Sequence, residues 1–198
     1  MKPEGDLLGG YFSALESAFN QVIATDSQGD VLPLNAAISW TINMLNNMKS
    51  LGGKAIFIGN GGSAAIASHM AIDYCKNGGF PGLAFNDAAA LTCLANDLGY
   101  EQAFAHQISN LGKSEDILIA ISSSGASANI IAAAETASSI NMKLITLSGF
   151  KENNSLRERG HMNFFVPITE YGIVEITHLV LCHAILDISM GWRPEADG

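Results

Sequence analysis

Arginine is scarce in this 198-residue chain, and the three that exist (Arg157, Arg159 and Arg193) fall in its last quarter. Lysine does little to offset the shortage. Basic residues number 10 against 19 acidic ones, a formal net charge of −9. A nucleic-acid groove needs basic side chains to neutralise phosphates, so that class of partner is argued against. Any phosphate held by the earlier part of the chain must rely mainly on backbone N–H groups, hydroxyls and a few lysines. Cysteine is limited to Cys75, Cys93 and Cys182, an odd number with no zinc-finger spacing. They read as small buried side chains of a reducing compartment. No apolar run approaches the length that spans a bilayer, so no membrane association is expected. The opening MKPEGDLLGG lacks the basic and apolar regions of a signal peptide, and a cytoplasmic location follows as the expectation.

With 48% hydrophobic residues the chain is long enough to bury a sizeable core as a single domain, 1–198. Residues 8–24 and 34–50 read as two helices, separated by the polar turn DSQGDVLP with Gly29 and Pro33. Ile38, Ile42, Leu45 and Met48 recur at helical spacing in the second. This helical pair occupies residues 1–52. From 53 onward the apolar runs AIFIG, GLAF, DILIAIS, KLITLSG and NFFVP alternate with helical segments. The runs are uninterrupted, as in strands covered on both faces, and strand–helix alternation implies a parallel sheet. A closing helix over roughly 171–191 turns Ile173, Ile176, Val180 and Leu186 toward a core. The expected fold is α/β: two leading helices, a five-stranded parallel sheet and a C-terminal helix.

Two loops follow strand ends, where open parallel sheets bind ligands. The first is GNGGS (Gly59 to Ser63), the second SSSGASAN (Ser122 to Asn129), and each runs straight into a helix. Glycine lets the backbone approach a ligand, and unpaired N–H groups at a helix N-terminus face it. Ser122, Ser123, Ser124 and Ser127 add hydroxyl donors without charge, which suits a phosphate monoester. The competing reading makes them turn residues, with Ser127 an N-cap. No Gly-Lys-Ser/Thr follows the glycines, so this is not a Walker motif.

His69 and Asp73 stand i,i+4 on one helix face, a spacing that suits two ligands of one metal ion or an acid–base pair. In EITHLVLCH, Glu175, His178 and His183 share one broad side of the closing helix. His69, Asp73, Glu175 and His183 together form a plausible Zn²⁺ ligand set. Glu175 and His183, however, are eight residues apart, roughly 12 Å along a helix axis. Ligands contributed by two subunits are the alternative. Each histidine taken singly also fits a satisfied core position.

GNGGSAAIASHMA, ANDLGYEQAF, ISSSGASANII and EITHLVLCH, in that order, resemble the phosphoheptose isomerases, which carry the sugar isomerase (SIS) fold. The resemblance covers nearly the whole chain and implies a single SIS domain. It implies a three-layer sandwich whose five-stranded parallel sheet has the flavodoxin-like order 2-1-3-4-5. The implied reaction converts sedoheptulose 7-phosphate to D-glycero-D-manno-heptose 7-phosphate, a step toward lipopolysaccharide or capsule heptoses. Homotetramers with sites between subunits, and a bound zinc ion, one per subunit, are implied as well. Carried over, Asn60, Gly61, Gly62 and Ser63 line the sugar-phosphate site, and Asn96 and Asp97 contact the sugar. Ser122, Ser123, Ser124 and Ser127 hold the phosphate. His69, Asp73, Glu175 and His183 fall on metal and catalytic positions, with Asp73 the base, His183 the acid and Glu175 also substrate-binding.

The chain departs from that pattern in several places. Asp73 stands where the family has glutamate, Glu175 where it has glutamine, and Ser123 where threonine is usual. An arginine after the family glutamate is absent from YCKNGG, and a charged pair before the last ligands has become Gly172 and Ile173. Asp73 reaches one methylene less than glutamate, and Glu175 adds a negative charge that favours a divalent cation. Two other readings follow from the same fold. One is a non-catalytic phosphosugar-binding regulator, such as a module that contacts the replication initiator DnaA. The other is an isomerase for a different phosphosugar. A regulator has no need of two histidines and two carboxylates at these positions.

Overall fold

Successive side chains of β3 (Ala55–Gly59) and β5 (Ile117–Ser122) enter two different hydrophobic cores, one on each face of the sheet. Phe57, Ile117, Ile119 and Ile121 pack on one side. Ile56, Ile58, Leu118 and Ala120 pack on the other. Side chains alternate across a strand, so a strand buried on both faces must be apolar throughout. These strands belong to a computed structural model that describes residues 6–194; Met1 to Gly5 of the opening segment lie outside the described residues.

In chain order the elements begin with α1 (Leu7–Asn20), β1 (Ile23–Asp26), β2 (Val31–Leu32) and α2 (Leu34–Ser50). After β3 come α3 (Gly62–Lys76), β4 (Gly82–Ala84), α4 (Ala88–Leu98), a short 3-10 turn and α5 (Ala103–Leu111). β5 is followed by α6 (Ala128–Ser139), β6 (Lys143–Gly149), β7 (Met162–Val166) and α7 (Tyr171–Ser189). The strand order is β2-β1-β7-β6-β5-β3-β4. β4, β3, β5, β6 and β7 pair in parallel, which is the order 2-1-3-4-5 among those five. One face of the sheet carries Met70 and Tyr74 of α3, Leu45 and Met48 of α2, and Leu181 and Ile185 of α7. The other carries Phe104 and Ile108 of α5 with Ile130, Ala133 and Ala137 of α6. The result is a three-layer sandwich.

The sheet has seven strands, not five. Residues 21–24, expected to end the first helix, instead leave it to form the hairpin β1–β2, and β1 pairs antiparallel with β7. Val22, Ile23 and Thr25 are β-branched and favour a strand once an edge is available. Asp26 makes the turn, its Oδ1 accepting from the N–H groups of Gln28 and Asp30, at 2.8 and 3.1 Å. The polar stretch DSQGDVLP is therefore a hairpin tip and return strand. On α7, Ile173 and Leu186 are buried, but Ile176 and Val180 are exposed. Of the cysteines only Cys182 is buried, and burial pushes its thiol up to about 12. α7 is the one described helix long and apolar enough to cross a membrane. Its eight buried residues and its contacts with α1, α2 and α3 make it a core helix here.

His178 is fully buried in α7, its Nε2 3.1 Å from the Ser148 carbonyl oxygen, to which it donates, while Nδ1 has no partner among the described residues. Burial pushes its pKa down from 6.5 to about 4. Above 6.5 the imidazole is neutral folded and unfolded, and contributes no pH dependence. Between 6.5 and about 4 the unfolded chain takes up a proton that the folded chain refuses, so stability falls as pH falls. The loss amounts to about 3 kcal/mol by the lower end. Urea unfolding across this range should show a slope that His178→Gln flattens; equal slopes would exclude His178 as its source.

Candidate active site

β3 and β5 are neighbours in the sheet, yet β4 and β6 lie on their opposite outer sides. The winding direction reverses between them, and the crevice beyond their carboxyl ends is where such sheets bind ligands. The glycine loop leaves β3 there and the serine loop leaves β5. Asn60 Nδ2–H donates to Asn129 Oδ1 at 2.9 Å, and Asn129 Nδ2–H returns a bond to Asn60 Oδ1 at 2.8 Å. This reciprocal amide pair ties the two loops across the crevice. Tyr100 Oη–H adds a third bond to Asn60 Oδ1 at 2.8 Å.

Between the loops lies an open cleft of about 390 Å³, lined by Asn60, Ser63, Ser122, Ser123, Ser124, Ser127, Tyr171 and Glu175. Among the described residues no lysine or arginine lines it. Positive potential comes instead from helix ends. α3 begins after Gly61 and α6 after Ser127, and neither has a side-chain cap bond. Their first N–H groups thus remain available to an anion, and the helix dipoles favour one there. Ser127 turns its hydroxyl to Ser122 Oγ, 3.3 Å away, and not to its own helix. Ser123 is 5% exposed and its Oγ has no hydrogen-bond partner among the described residues. A buried hydroxyl without a partner carries a cost of about 1–3 kcal/mol, which a bound oxyanion would remove.

The serine loop has its own support. Gly125 has φ +61, and a Cβ there would overlap the Asn154 side chain. Asn154 Nδ2–H donates to Ser148 Oγ at 3.1 Å, and Leu156 N–H donates to the Gly125 carbonyl at 2.9 Å. The segment after β6 thereby fixes the loop after β5.

Four side chains were expected around one metal ion, and within one chain three of them meet. His69, Asp73 and His183 place their ligand atoms within 4.8 Å of one another. His69 Nε2 lies 3.3 Å from His183 Nε2 and 3.5 Å from Asp73 Oδ2. Tetrahedral Zn²⁺ with bonds of about 2.0–2.1 Å needs ligand atoms about 3.3–3.4 Å apart, close to the two separations that His69 makes. Glu175 does not join it. Its carboxylate rests in the cleft against Gly62, the first residue of α3, where a Cβ would clash with both oxygens. Among the described residues it makes no hydrogen bond or ion pair.

Asn96 and Asp97 are exposed on α4, away from the cleft lining, with Asn96 Nδ2–H donating to Asp97 Oδ1 at 2.7 Å. Gly61, at φ +55, shapes the loop and does not line the cleft. Sequence reasoning missed Asn129, Tyr100, Asn154 and Tyr171. Asn129 ends the quoted serine stretch and could have been singled out as a polar first-turn residue. The others carry no spacing signal, because only the folded chain brings them to the loops.

Residues 10–149 match the SIS domain family. The chain is 33% identical over 160 residues to a phosphoheptose isomerase of Helicobacter pylori, covering 78% of this chain and 83% of that one. It is 38% identical over 143 residues to a phosphoheptose isomerase of Thermodesulfovibrio yellowstonii, covering 69% and 71%. The solved structure of a phosphoheptose isomerase from Francisella tularensis superposes with a TM-score of 0.81 at 28% identity, covering 96% of this chain and 99% of that one.

Gly125→Ala should cost about 2–3 kcal/mol of stability, combining left-handed backbone strain with displacement of Asn154. It should also weaken binding of a phosphorylated ligand. Urea unfolding and ligand-induced thermal shifts measure the two effects. A variant as stable as the parent would refute the close approach.

Proposed function

The chain belongs to the SIS domain family and, within it, to the phosphoheptose isomerases, and on that premise we propose that it interconverts sedoheptulose 7-phosphate and D-glycero-D-manno-heptose 7-phosphate. It is a phosphosugar isomerase. The observation that carries the substrate reading is the cleft at the β3–β5 crossing, with its partnerless Ser123 hydroxyl between two uncapped helix N-termini. That arrangement suits a phosphate monoester where no basic side chain among the described residues lines the cleft. The whole chain, 1–198, then acts as one SIS domain in the cytoplasm, serving heptose supply for lipopolysaccharide or capsule.

Isomerisation moves a proton between the carbonyl carbon and the hydroxyl-bearing carbon beside it, through an enediol or enediolate. Asp73 takes the proton from the carbon beside the carbonyl, and His183 supplies one to the carbonyl oxygen. Returning the first proton to the former carbonyl carbon, while His183 takes back a proton from the neighbouring hydroxyl as that oxygen becomes the new carbonyl, completes the exchange. His69 and His183 through Nε2, with one Asp73 oxygen, would hold Zn²⁺, leaving the other Asp73 oxygen to act as base and Nδ1 of His183 to carry its proton. A zinc ion there supplies Lewis-acid polarisation of the substrate oxygens.

Two turns of α7, about 12 Å, separate Glu175 in the cleft from His183 in the triplet. Ile72 on α3 and Ile176 and Val180 on α7 are exposed apolar side chains near that triplet in sequence. Both features support sites assembled between subunits of a homotetramer.

Incubating the protein with sedoheptulose 7-phosphate, with and without zinc, and following the aldoheptose phosphate by NMR tests the reaction directly. Absence of turnover in both conditions would sink it. Asp73→Asn should lower kcat by about 10²–10⁴-fold while phosphate binding persists. An active Asp73→Asn enzyme would mean that another group is the base. Elemental analysis should find one zinc per chain, lost in His69→Ala; an active, metal-free parent protein contradicts the ligand set.

A further inference from the structure

The Asn60 amide has one group left to offer. A carbonyl oxygen has two lone pairs and an amide nitrogen two hydrogens. Oδ1 uses both of its positions, accepting from Asn129 Nδ2 and from Tyr100 Oη, each at 2.8 Å. One hydrogen of Nδ2 goes to Asn129 Oδ1 at 2.9 Å, and the other has no partner among the described residues. The reciprocal pair engages the hydrogen on the same side of the C–N bond as Oδ1. The spare one therefore points away from both Oδ1 and Tyr100. Asn60 lines the cleft between the glycine and serine loops, so this N–H is a donor at the ligand site.

The amide pair alone does not set that polarity. Turning both amides over exchanges oxygen for nitrogen and keeps both mutual bonds. A carbonyl oxygen of Asn60 would then occupy the spare position, where an acceptor opposes an anion. The Tyr100 hydroxyl separates the two arrangements. In the observed one it donates to a carbonyl oxygen; in the other it would meet an N–H, and its own hydrogen would lose that acceptor. Tyr100 comes from outside both loops, at the end of α4. It is delivered by Gly99, whose φ of 88 and ψ of 147 lie in a region that is essentially glycine-only. We propose that Tyr100 is a positioning residue, whose hydroxyl fixes the Asn60 amide so that an N–H and not an oxygen faces a phosphorylated ligand. The inference rests on reading the cleft as the phosphosugar site, and adds to it a residue that acts through Asn60.

Tyr100→Phe removes the hydroxyl and keeps the ring of a half-exposed residue. KM for sedoheptulose 7-phosphate should rise about fivefold, the worth of one oriented hydrogen bond. The value of kcat should stay within about twofold of the parent, because the lost interaction serves ground state and transition state alike. Made in an Asn60→Ala background, the same substitution should raise KM no further, since the hydroxyl has nothing left to orient. An unchanged KM in Tyr100→Phe overturns the proposal. A fivefold penalty that persists without the Asn60 amide overturns it equally, because the hydroxyl would then act by another route. A parent protein that does not turn over sedoheptulose 7-phosphate sinks the substrate reading by itself. Calorimetric titration of inorganic phosphate then decides the role of Tyr100: binding about fivefold weaker in Tyr100→Phe supports it, and equal affinity overturns it.

Discussion

The mutual amide bonds of Asn60 and Asn129 hold the rest of the site in place. Each amide spends a donor and an acceptor on the other, so the glycine loop and the serine loop cannot move independently. The same two strands are joined at their opposite ends by Lys54 and Asp116. Buried Asp116 accepts from the Lys54 ammonium at 2.5 Å and from the Lys54 and Lys113 backbone N–H groups. Removing one partner of such a pair leaves an uncompensated buried charge, so the pairing is strongly enforced. With β3 and β5 clamped at both ends, the crevice between their loops has a defined width. The N-termini of α3 and α6 have a defined separation for the same reason.

That rigidity is what the proposed anion site of a strongly acidic chain would require. Free N–H groups and hydroxyls are weak donors singly, and they compete poorly with water unless they are already aimed at one point. Gly61 and Gly125 supply the backbone conformations that aim them, and Asn154 holds the serine loop from behind. Glu175, in contact with Gly62, lies on the favourable end of the α3 dipole.

α3 and α7 carry both halves of the proposed site. Near the start of α3, Gly62 meets Glu175; one to two turns further on, His69 meets His183, and Tyr74 Oη–H donates to the Cys182 carbonyl at 3.1 Å. The two helices thus advance side by side from the cleft toward the His–Asp triplet. Buried faces of both helices turn to the sheet, while the triplet stands at the edge with the His69 side chain 51% exposed. An exposed triplet joined to a protected cleft by two packed helices is an arrangement that a neighbouring subunit could complete.

Much of this was legible in the residues themselves. Uninterrupted apolar runs such as DILIAIS could only be strands covered on both faces, and α2 follows the apolar spacing of Ile38, Leu45 and Met48. The i,i+4 spacing of His69 and Asp73 placed them on one face of α3 without reference to any fold. Other features depended on contacts remote in sequence. Val22 to Thr25 continues a helical pattern and becomes a strand only because β7 offers it an edge. Glu175 matches the ligand positions by type and number, but the eight-residue rise of α7 carries it to the cleft and leaves His183 in the triplet. Short-range periodicity, set by the backbone, determined the elements and the pairings within them. Which loops meet, which hydroxyl stays without a partner and which carboxylate stands apart from the His69–Asp73–His183 triplet within one chain were decided by packing, because those distances exist only after the sheet has closed.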